Sequence, residues 1–142
     1  MASSKPKIPW TDIQLQQFLS CILKVKAHLK TTETYQAKFE KVVTELWLKP
    51  GGPFHEFSPP KWDSAQQHFR RELDVFCKKF AVGTSKTPIN TSGLSGDIQS
   101  NFNENEKLLY QMAKVIEDTA TAREEDRAKV RRKISWFLLN QD

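Results

Sequence analysis

The stretch PPKWDSAQQHFRRELDVFCKKF, residues 59–80, decides the fold because it carries two chemically different faces at helical spacing. At about 100° per residue its apolar side chains share one face, which predicts an amphipathic helix packed on other helices. Leaving that face in water would forfeit the free energy that burial provides. The residues of the apolar face are Trp62, Ala65, Phe69, Leu73, Phe76 and Phe80.

The opposite face of this helix holds polar and cationic side chains. Gln and Ser can hydrogen-bond to base edges in a major groove, Arg can bind guanine through two hydrogen bonds, and Lys can pair with phosphate. The alternative is an ordinary solvated face, and Asp63, Glu72 and Asp74 reduce its positive charge. The candidate DNA contacts are Lys61, Ser64, Gln67, His68, Arg71 and Lys78.

Two further helices are predicted before this one. In the segment WTDIQ, Thr11 and Gln14 have the spacing of a capping box, and apolar residues follow at helical intervals as far as Leu29. A second helix is predicted over residues 33–48, with Trp47 at the rim of the core. No segment alternates between apolar and polar residues over a strand's length, so the chain is predicted to be all-α.

A loop is predicted between the second and third helices, because residues 49–60 contain four Pro and two Gly. Pro59 and Pro60 suit the first turn of the third helix, where a missing N–H costs nothing, and Ser58 is the expected N-cap.

The residue composition of the chain changes twice after Ala81. Residues 82–103 are rich in Gly, Ser, Thr and Asn and predict a flexible linker. Residues 104–142 predict a long, charged helix with a coiled-coil-like stripe that serves association with a second copy or with another protein. The residues of this association stripe are Leu108, Met112, Val115, Thr119, Val130, Ile134 and Phe137.

Composition and charge limit the classes of protein to which the chain can belong. The chain of 142 residues has no run of about 20 apolar residues, and its polar start lacks a signal-peptide apolar region, so a soluble, non-secreted protein is expected. Residues 1–81 hold 13 Lys and Arg against 8 Asp and Glu, which accounts for the net charge of +5. This asymmetry favours a polyanionic partner. Lys5 and Lys7 lie on a Pro-containing arm that can follow phosphates.

Signatures of catalysis are missing from the sequence. It has no Gly-rich phosphate loop, no GxSxG and no HExxH. Cys21 and Cys77 fall on apolar helix faces, and the three His residues have no ligand spacing. We therefore expect no enzyme activity, cofactor, metal or small-molecule substrate.

Residues 8–81 resemble the Myb/SANT-like domain. The resemblance rests on the order Trp10, Thr11 and Asp12 at a helix start, on Phe39 in the middle helix, and on Phe69 followed by Leu73 in the third. It is typical of the longer-looped versions found in transposon-derived and trihelix-type regulators. It implies three helices that bury spaced aromatics, with the third helix in the major groove as in helix-turn-helix proteins.

Together these observations predict four parts: a basic flexible arm (1–7), a Myb/SANT-like domain (8–81), a flexible linker (82–103) and a long association helix (104–142). The expected function is binding of double-stranded DNA in the nucleus, as a transcriptional regulator or as the accessory of a transposase. One alternative is a SANT-type adaptor that binds histones or other proteins without reading DNA. Another is a remnant of a transposon protein.

Overall fold

The computed structural model describes residues 5–83 and 87–139. The described residues contain no β-strand, so the prediction of an all-α fold is confirmed. The helices are α1 (Asp12–Val25), α2 (Tyr35–Val43), α3 (Trp62–Lys79), α4 (Gly96–Ser100) and α5 (Glu104–Leu139).

Helix α1 begins at the predicted capping box. The Gln14 backbone N–H donates to the Thr11 hydroxyl at 3.3 Å, and the Thr11 N–H donates to the Gln14 side-chain carbonyl at 3.0 Å. The helix ends one residue before Lys26, whose φ of 62° lies in the left-handed region. This reversal lets the chain turn back toward α2, which Thr34 caps through its hydroxyl.

Helix α2 continues into a π-helical turn, Thr44–Leu48, in which the Lys49 N–H donates to the Thr44 carbonyl at 2.8 Å. A π turn bonds residue i to i+5, so the positions that follow are rotated away from an α-helical stripe. Trp47 is consequently 1% exposed and lies in the core. Its predicted position at the rim is wrong because the prediction assumed an unbroken α-helix.

Helix α3 begins at Trp62, and its N-cap is Lys61, which makes no side-chain capping bond. Pro59 and Pro60 therefore precede the helix rather than occupy its first turn. Ser58 is not the cap; its backbone N–H donates to the Pro6 carbonyl at 2.8 Å.

The core lies between α1, α2, α3 and the first half of α5. Its aromatic rings form separate groups: Trp10 packs on Phe18 and Trp47, whereas Phe39 packs on Phe69. The largest fully buried apolar side chains are Trp47, Phe18, Phe39, Phe54, Leu19, Ile22, Met112 and Val42.

The segment expected to be a linker contributes to this core. Leu94 and Phe102 are buried, and the Phe102 ring lies 5.7 Å from that of Phe76. Thr91 donates from its backbone N–H and its hydroxyl to the Glu117 carboxylate, at 3.0 and 2.6 Å. The described part of residues 82–103 therefore packs on the body, through Phe102 against Phe76 of α3 and through Thr91 against Glu117 of α5.

Helix α5 has two halves with different surroundings. Residues up to Thr119 pack on α1 and α3, and they bury Leu109, Met112 and Ala113. From Ala120 onward every described residue is exposed except the partly buried Ala128. At 1.5 Å per residue, the second half extends about 30 Å beyond the body.

Candidate nucleic-acid interface

One face of α3 points away from the body along the whole helix. Its side chains recur every three or four residues and share about 80° of the helix circumference over a length of about 21 Å. All of them are exposed, and none is covered by α5 or by residues 87–103. The residues of this outward stripe are Ser64, Gln67, Arg71, Val75 and Lys78.

The polar side chains of the outward stripe have no partner within the described chain. Gln67, Arg71 and Lys78 make no hydrogen bond and no ion pair there. A cationic or amide group of this kind is hydrated in the free protein and can bond to a ligand without first breaking an internal contact. The stripe therefore offers donors of the type that bind phosphates and base edges.

Lys79, the next residue after Lys78, forms an ion pair within the chain. Its ammonium donates to the Glu106 carboxylate at 2.7 Å and lies 5.3 Å from the centre of the Phe80 ring. Burial opposes the charge on Glu106, but hydrogen bonds from Lys79 and from the Asn103 backbone outweigh it and lower the pKa of this carboxyl. Lys79 thus joins α3 to α5, whereas Lys78 faces outward.

The three acidic residues of α3 lie off the outward stripe. Asp63 accepts a hydrogen bond from the Ser64 N–H at 2.9 Å in the first turn, where a carboxylate also suits the helix dipole. Glu72 is partly buried, and burial raises the pKa of its carboxyl. Asp74 is partly buried beside a cavity. The stripe itself is therefore cationic.

His68 does not belong to this surface. Its ring stacks on that of Trp10, with centroids 4.1 Å apart, and its buried Nε2 has no hydrogen-bond partner. Burial, together with the nearby Arg71, lowers the pKa of the imidazole and favours its neutral form. The structure therefore corrects the choice of His68 as a DNA contact: a neutral, covered ring is a poor ligand for phosphate.

The basic arm is attached near the start of α3. The Lys5 ammonium donates to the His55 carbonyl at 2.9 Å, and Pro6 accepts from Ser58, which lies three residues before Lys61. Lys7 is exposed. Lys5, Lys7 and Lys61 are thereby brought to the amino-terminal end of α3, while residues 1–4 of the predicted arm lie outside the described residues.

Two residues were missed by the sequence analysis. Val75 is 62% exposed in the middle of the outward stripe, a place that helical periodicity alone would have revealed. Lys38 is buried, and its ammonium donates to the carbonyls of Leu29 and Lys26 and to the Thr31 hydroxyl. No sequence signal marks Lys38, because its partners belong to the turn between α1 and α2.

The residues predicted for association are divided between the two halves of α5. Met112 is fully buried in the chain's own core, so this structure corrects its assignment to an intermolecular contact; Leu108 and Thr119 are partly buried against the body. Val115 lies at the edge of the body and is 38% exposed. The residues left exposed on the protruding half are Val130, Ile134 and Phe137.

A cavity of about 400 Å³ lies between α2, α3 and α5. His28 lines it, with a buried Nδ1 that has no hydrogen-bond partner. Its other walls include Tyr35, Leu73 and Ile116. Within residues 5–83 and 87–139, no three His, Cys, Asp or Glu side chains come together to hold a metal ion.

Comparison with protein-family models, curated proteins and solved structures finds no significant match. Of the three aromatics on which the Myb/SANT-like resemblance rests, Phe39 and Phe69 contact each other, with ring centroids 6.3 Å apart. Trp10 instead packs among Phe18, Trp47, Phe54 and His68. In the part of the chain that the structure describes, no helix is both long and apolar enough to span a membrane.

Proposed function

We propose that this protein binds double-stranded DNA and inserts α3 into the major groove. One observation carries the proposal: the outward stripe of α3 is cationic, exposed and without partners inside the described chain. A major groove of about 12 Å width admits one helix, and a stripe of about 21 Å can cross it with side chains to spare.

Each side chain has a role that follows from its chemistry. Arg71, at the centre of the stripe, binds guanine through two parallel hydrogen bonds, while Gln67 and Ser64 reach neighbouring base edges. Lys61 and Lys78, at the two ends of α3, bind phosphates on either side of the groove. Lys5 and Lys7 extend the phosphate contact at the amino-terminal end, and His68 supports Trp10 instead of touching DNA.

Helix α5 supplies association in this proposal. Pairing of two copies would join two modules of modest affinity, and the second module would then bind at a high effective concentration. The proposed setting is the nucleus, with a role in transcriptional regulation or as the DNA-binding accessory of a transposase.

Selection from a random pool of DNA duplexes tests the proposal. Run at about 150 mM salt, where non-specific attraction is weakened, the selection is expected to enrich one motif. Affinity for that motif should fall with salt at a log–log slope of about 0.9 per phosphate contact. Failure to enrich any motif, together with unchanged heparin retention in Arg71→Ala/Lys78→Ala, would reject DNA binding.

A second candidate function is that of a protein-interaction adaptor. The exposed apolar end of α5 favours it, because Trp136, Phe137 and Leu138 offer a surface suited to a protein and unsuited to DNA. An adaptor would lose its partner when α5 is shortened after Thr119 and would show no dependence on Arg71. Two variants, one with α5 shortened after Thr119 and one with Arg71→Ala, therefore distinguish the two functions.

A further inference from the structure

The protruding half of α5 ends in a turn that is apolar on every side. Trp136, Phe137, Leu138 and Leu139 are all exposed, and four successive residues at about 100° intervals point in four directions around a helix. A helix that is apolar all round is normally buried on more than one side. A single partner helix alongside could cover only one of these directions.

The charges of the protruding half are separated along its length. Residues 120–126 contain three acidic residues and one arginine, whereas residues 127–139 contain five basic residues and no acidic one. The two segments thus carry net charges of −2 and +5. The boundary between them falls between Asp126 and Arg127.

Few of these charges are satisfied within the chain. Glu124 pairs with Arg131 at 2.9 Å and lies 3.8 Å from Arg127. Within the described residues, Glu125, Asp126, Arg132 and Lys133 have no ion-pair partner. Side chains of both signs therefore remain available to a neighbouring molecule.

We propose that the protruding half of α5 pairs with the same segment of a second copy in antiparallel orientation, centred on the charge boundary. This arrangement places the acidic segment of each copy beside the basic segment of the other. A parallel pair in register would place acidic beside acidic and basic beside basic, which electrostatic complementarity disfavours. The occupant of this surface is thus a second copy of the chain.

The antiparallel register also places the apolar tip of each copy level with the partner's body. With the centre between Asp126 and Arg127, Phe137 of one copy is level with Ile116 of the other, and Ile134 is level with Thr119. Leu138 is level with Val115, whose side chain is otherwise exposed at the edge of the body. The apolar tip therefore lies beside the first half of the partner's α5, where Val115 is exposed and where Ile116 and Thr119 are partly buried by their own body.

This register explains why the last turn is apolar all round. In an antiparallel pair, each tip reaches the partner's body and is covered by α5 on one side and by the body on another. Trp136 is level with Glu117 of the other copy, beside the cavity that Ile116 and Ala120 also line. In a parallel pair both tips would lie far from either body.

This inference deepens the association role in the proposed function and does not depend on DNA binding. Its test is a mass measurement combined with distances between labels, both made without DNA. Gln111→Cys, in a Cys21→Ser background, places one spin label on the exposed side of each body. The antiparallel pair puts the two labels about 45 Å apart along the helix axis, whereas a parallel pair keeps them within about 20 Å.

Three outcomes are distinguishable. A dimer with the long distance supports the inference. A dimer with the short distance overturns the antiparallel orientation and still supports association. A protein that remains monomeric at about 100 μM, a concentration within the range of weak affinities of about 1 μM to 1 mM, overturns both the orientation and the association. Neither negative outcome affects DNA binding, which depends on Arg71 and Lys78 and is measured separately.

Charge reversal provides a second, independent test. Glu124→Lys/Glu125→Lys/Asp126→Lys leaves both halves basic, and it should weaken dimerisation by roughly tenfold or more through loss of several exposed pairs. Adding Arg127→Glu/Lys129→Glu/Arg131→Glu exchanges the net signs of the two segments and should restore the dimer, because positions 127 and 129 are level with positions 126 and 124 of the other copy. Circular dichroism checks that both variants keep their helix. A helical double exchange that stays monomeric would overturn the charge-based orientation.

Discussion

The first half of α5, residues 104–119, and its protruding half form one continuous helix, yet they have opposite surroundings. Up to Thr119 the helix is covered by α1 and α3, and beyond it almost nothing covers the helix. Apolar residues recur at helical spacing in both halves. The contrast teaches that an apolar stripe indicates burial without telling whether the chain itself or another molecule provides the cover.

The largest expected effect comes from comparing one apolar residue from each half. Met112→Ala removes a fully buried side chain from the core and should lower the free energy of unfolding by about 2–5 kcal/mol. Val130→Ala acts on an exposed residue and should change the stability of the monomer by less than about 0.5 kcal/mol. Urea denaturation at low protein concentration measures both free energies of unfolding. Equal losses of stability in the two variants would contradict the conclusion that only the first half of α5 is buried.

The second-largest expected effect is a loss of DNA affinity from substitutions in the outward stripe of α3, compared with a substitution of a side chain that joins α3 to α5. Arg71→Ala should cost about 1–3 kcal/mol of affinity for the selected DNA motif, since it removes a two-bond guanine contact. Lys78→Ala should reduce the salt slope by about one unit.

Lys79→Ala is the matched control for this comparison. It removes the same charge one residue away, but from a side chain already paired with Glu106. It should affect stability, by about 1 kcal/mol for a pair in which only the lysine is exposed, more than it affects DNA affinity. If Lys79→Ala weakened DNA binding as much as Lys78→Ala, general charge rather than the stripe would be responsible.

The body should also be acid-sensitive, unlike the described part of α5, which contains no histidine. Burial lowers the pKa of His28 and of His68 in the folded state, so the unfolded chain binds protons more readily near the ordinary value of 6.5. Stability should therefore be retained above pH 6.5 and decline as the pH falls below it. Thermal unfolding between pH 7.5 and roughly 5 measures this decline.

His68→Phe sharpens the acid test, because the variant keeps an aromatic ring beside Trp10 and cannot be protonated. Its stability should fall less steeply with acid than that of the parent. An unchanged slope would mean that His68 is exposed to protonation in the folded state and that its stacking on Trp10 is not maintained in solution.

The smallest effect concerns the two thiols of the body. Burial, with a contribution from Asp74, raises the pKa of Cys77 to about 11, so almost no thiolate is present at pH 8. Burial also raises the pKa of Cys21, but this thiol is partly exposed. A chromogenic disulfide reagent should modify Cys21 first. Rapid modification of Cys77 in the folded protein would indicate that α3 separates from the core.

Much of the local structure was predictable from the sequence. The capping box at Thr11 and Gln14, the amphipathic character of α3 and the extent of α5 depend on neighbouring residues and on helical periodicity. For the same reason the exposure of Gln67 and Arg71 followed from their spacing opposite Phe69 and Phe76. These features are decided within a few turns of the chain.

The predictions that the structure corrects share a different cause, which is contact between residues far apart in the sequence. His68 was assigned to the outward surface, but Trp10, 58 positions away, folds over it. Met112 was assigned to association, but α1 and α3 cover it. Residues 82–103 looked like a spacer because their few apolar side chains, such as Phe102, are far apart in the sequence, although they fill gaps in the core.

The sequence by itself determined that the chain is helical, where α1, α2, α3 and α5 lie, and which face of α3 is apolar. It could do so because hydrogen bonding within a helix and side-chain periodicity are local. Only the tertiary structure decided which stripes the chain covers itself, which lysine of the adjacent pair Lys78 and Lys79 is engaged, and where α5 leaves the body. These outcomes depend on contacts between distant residues, whose relative positions are fixed only when the helices pack.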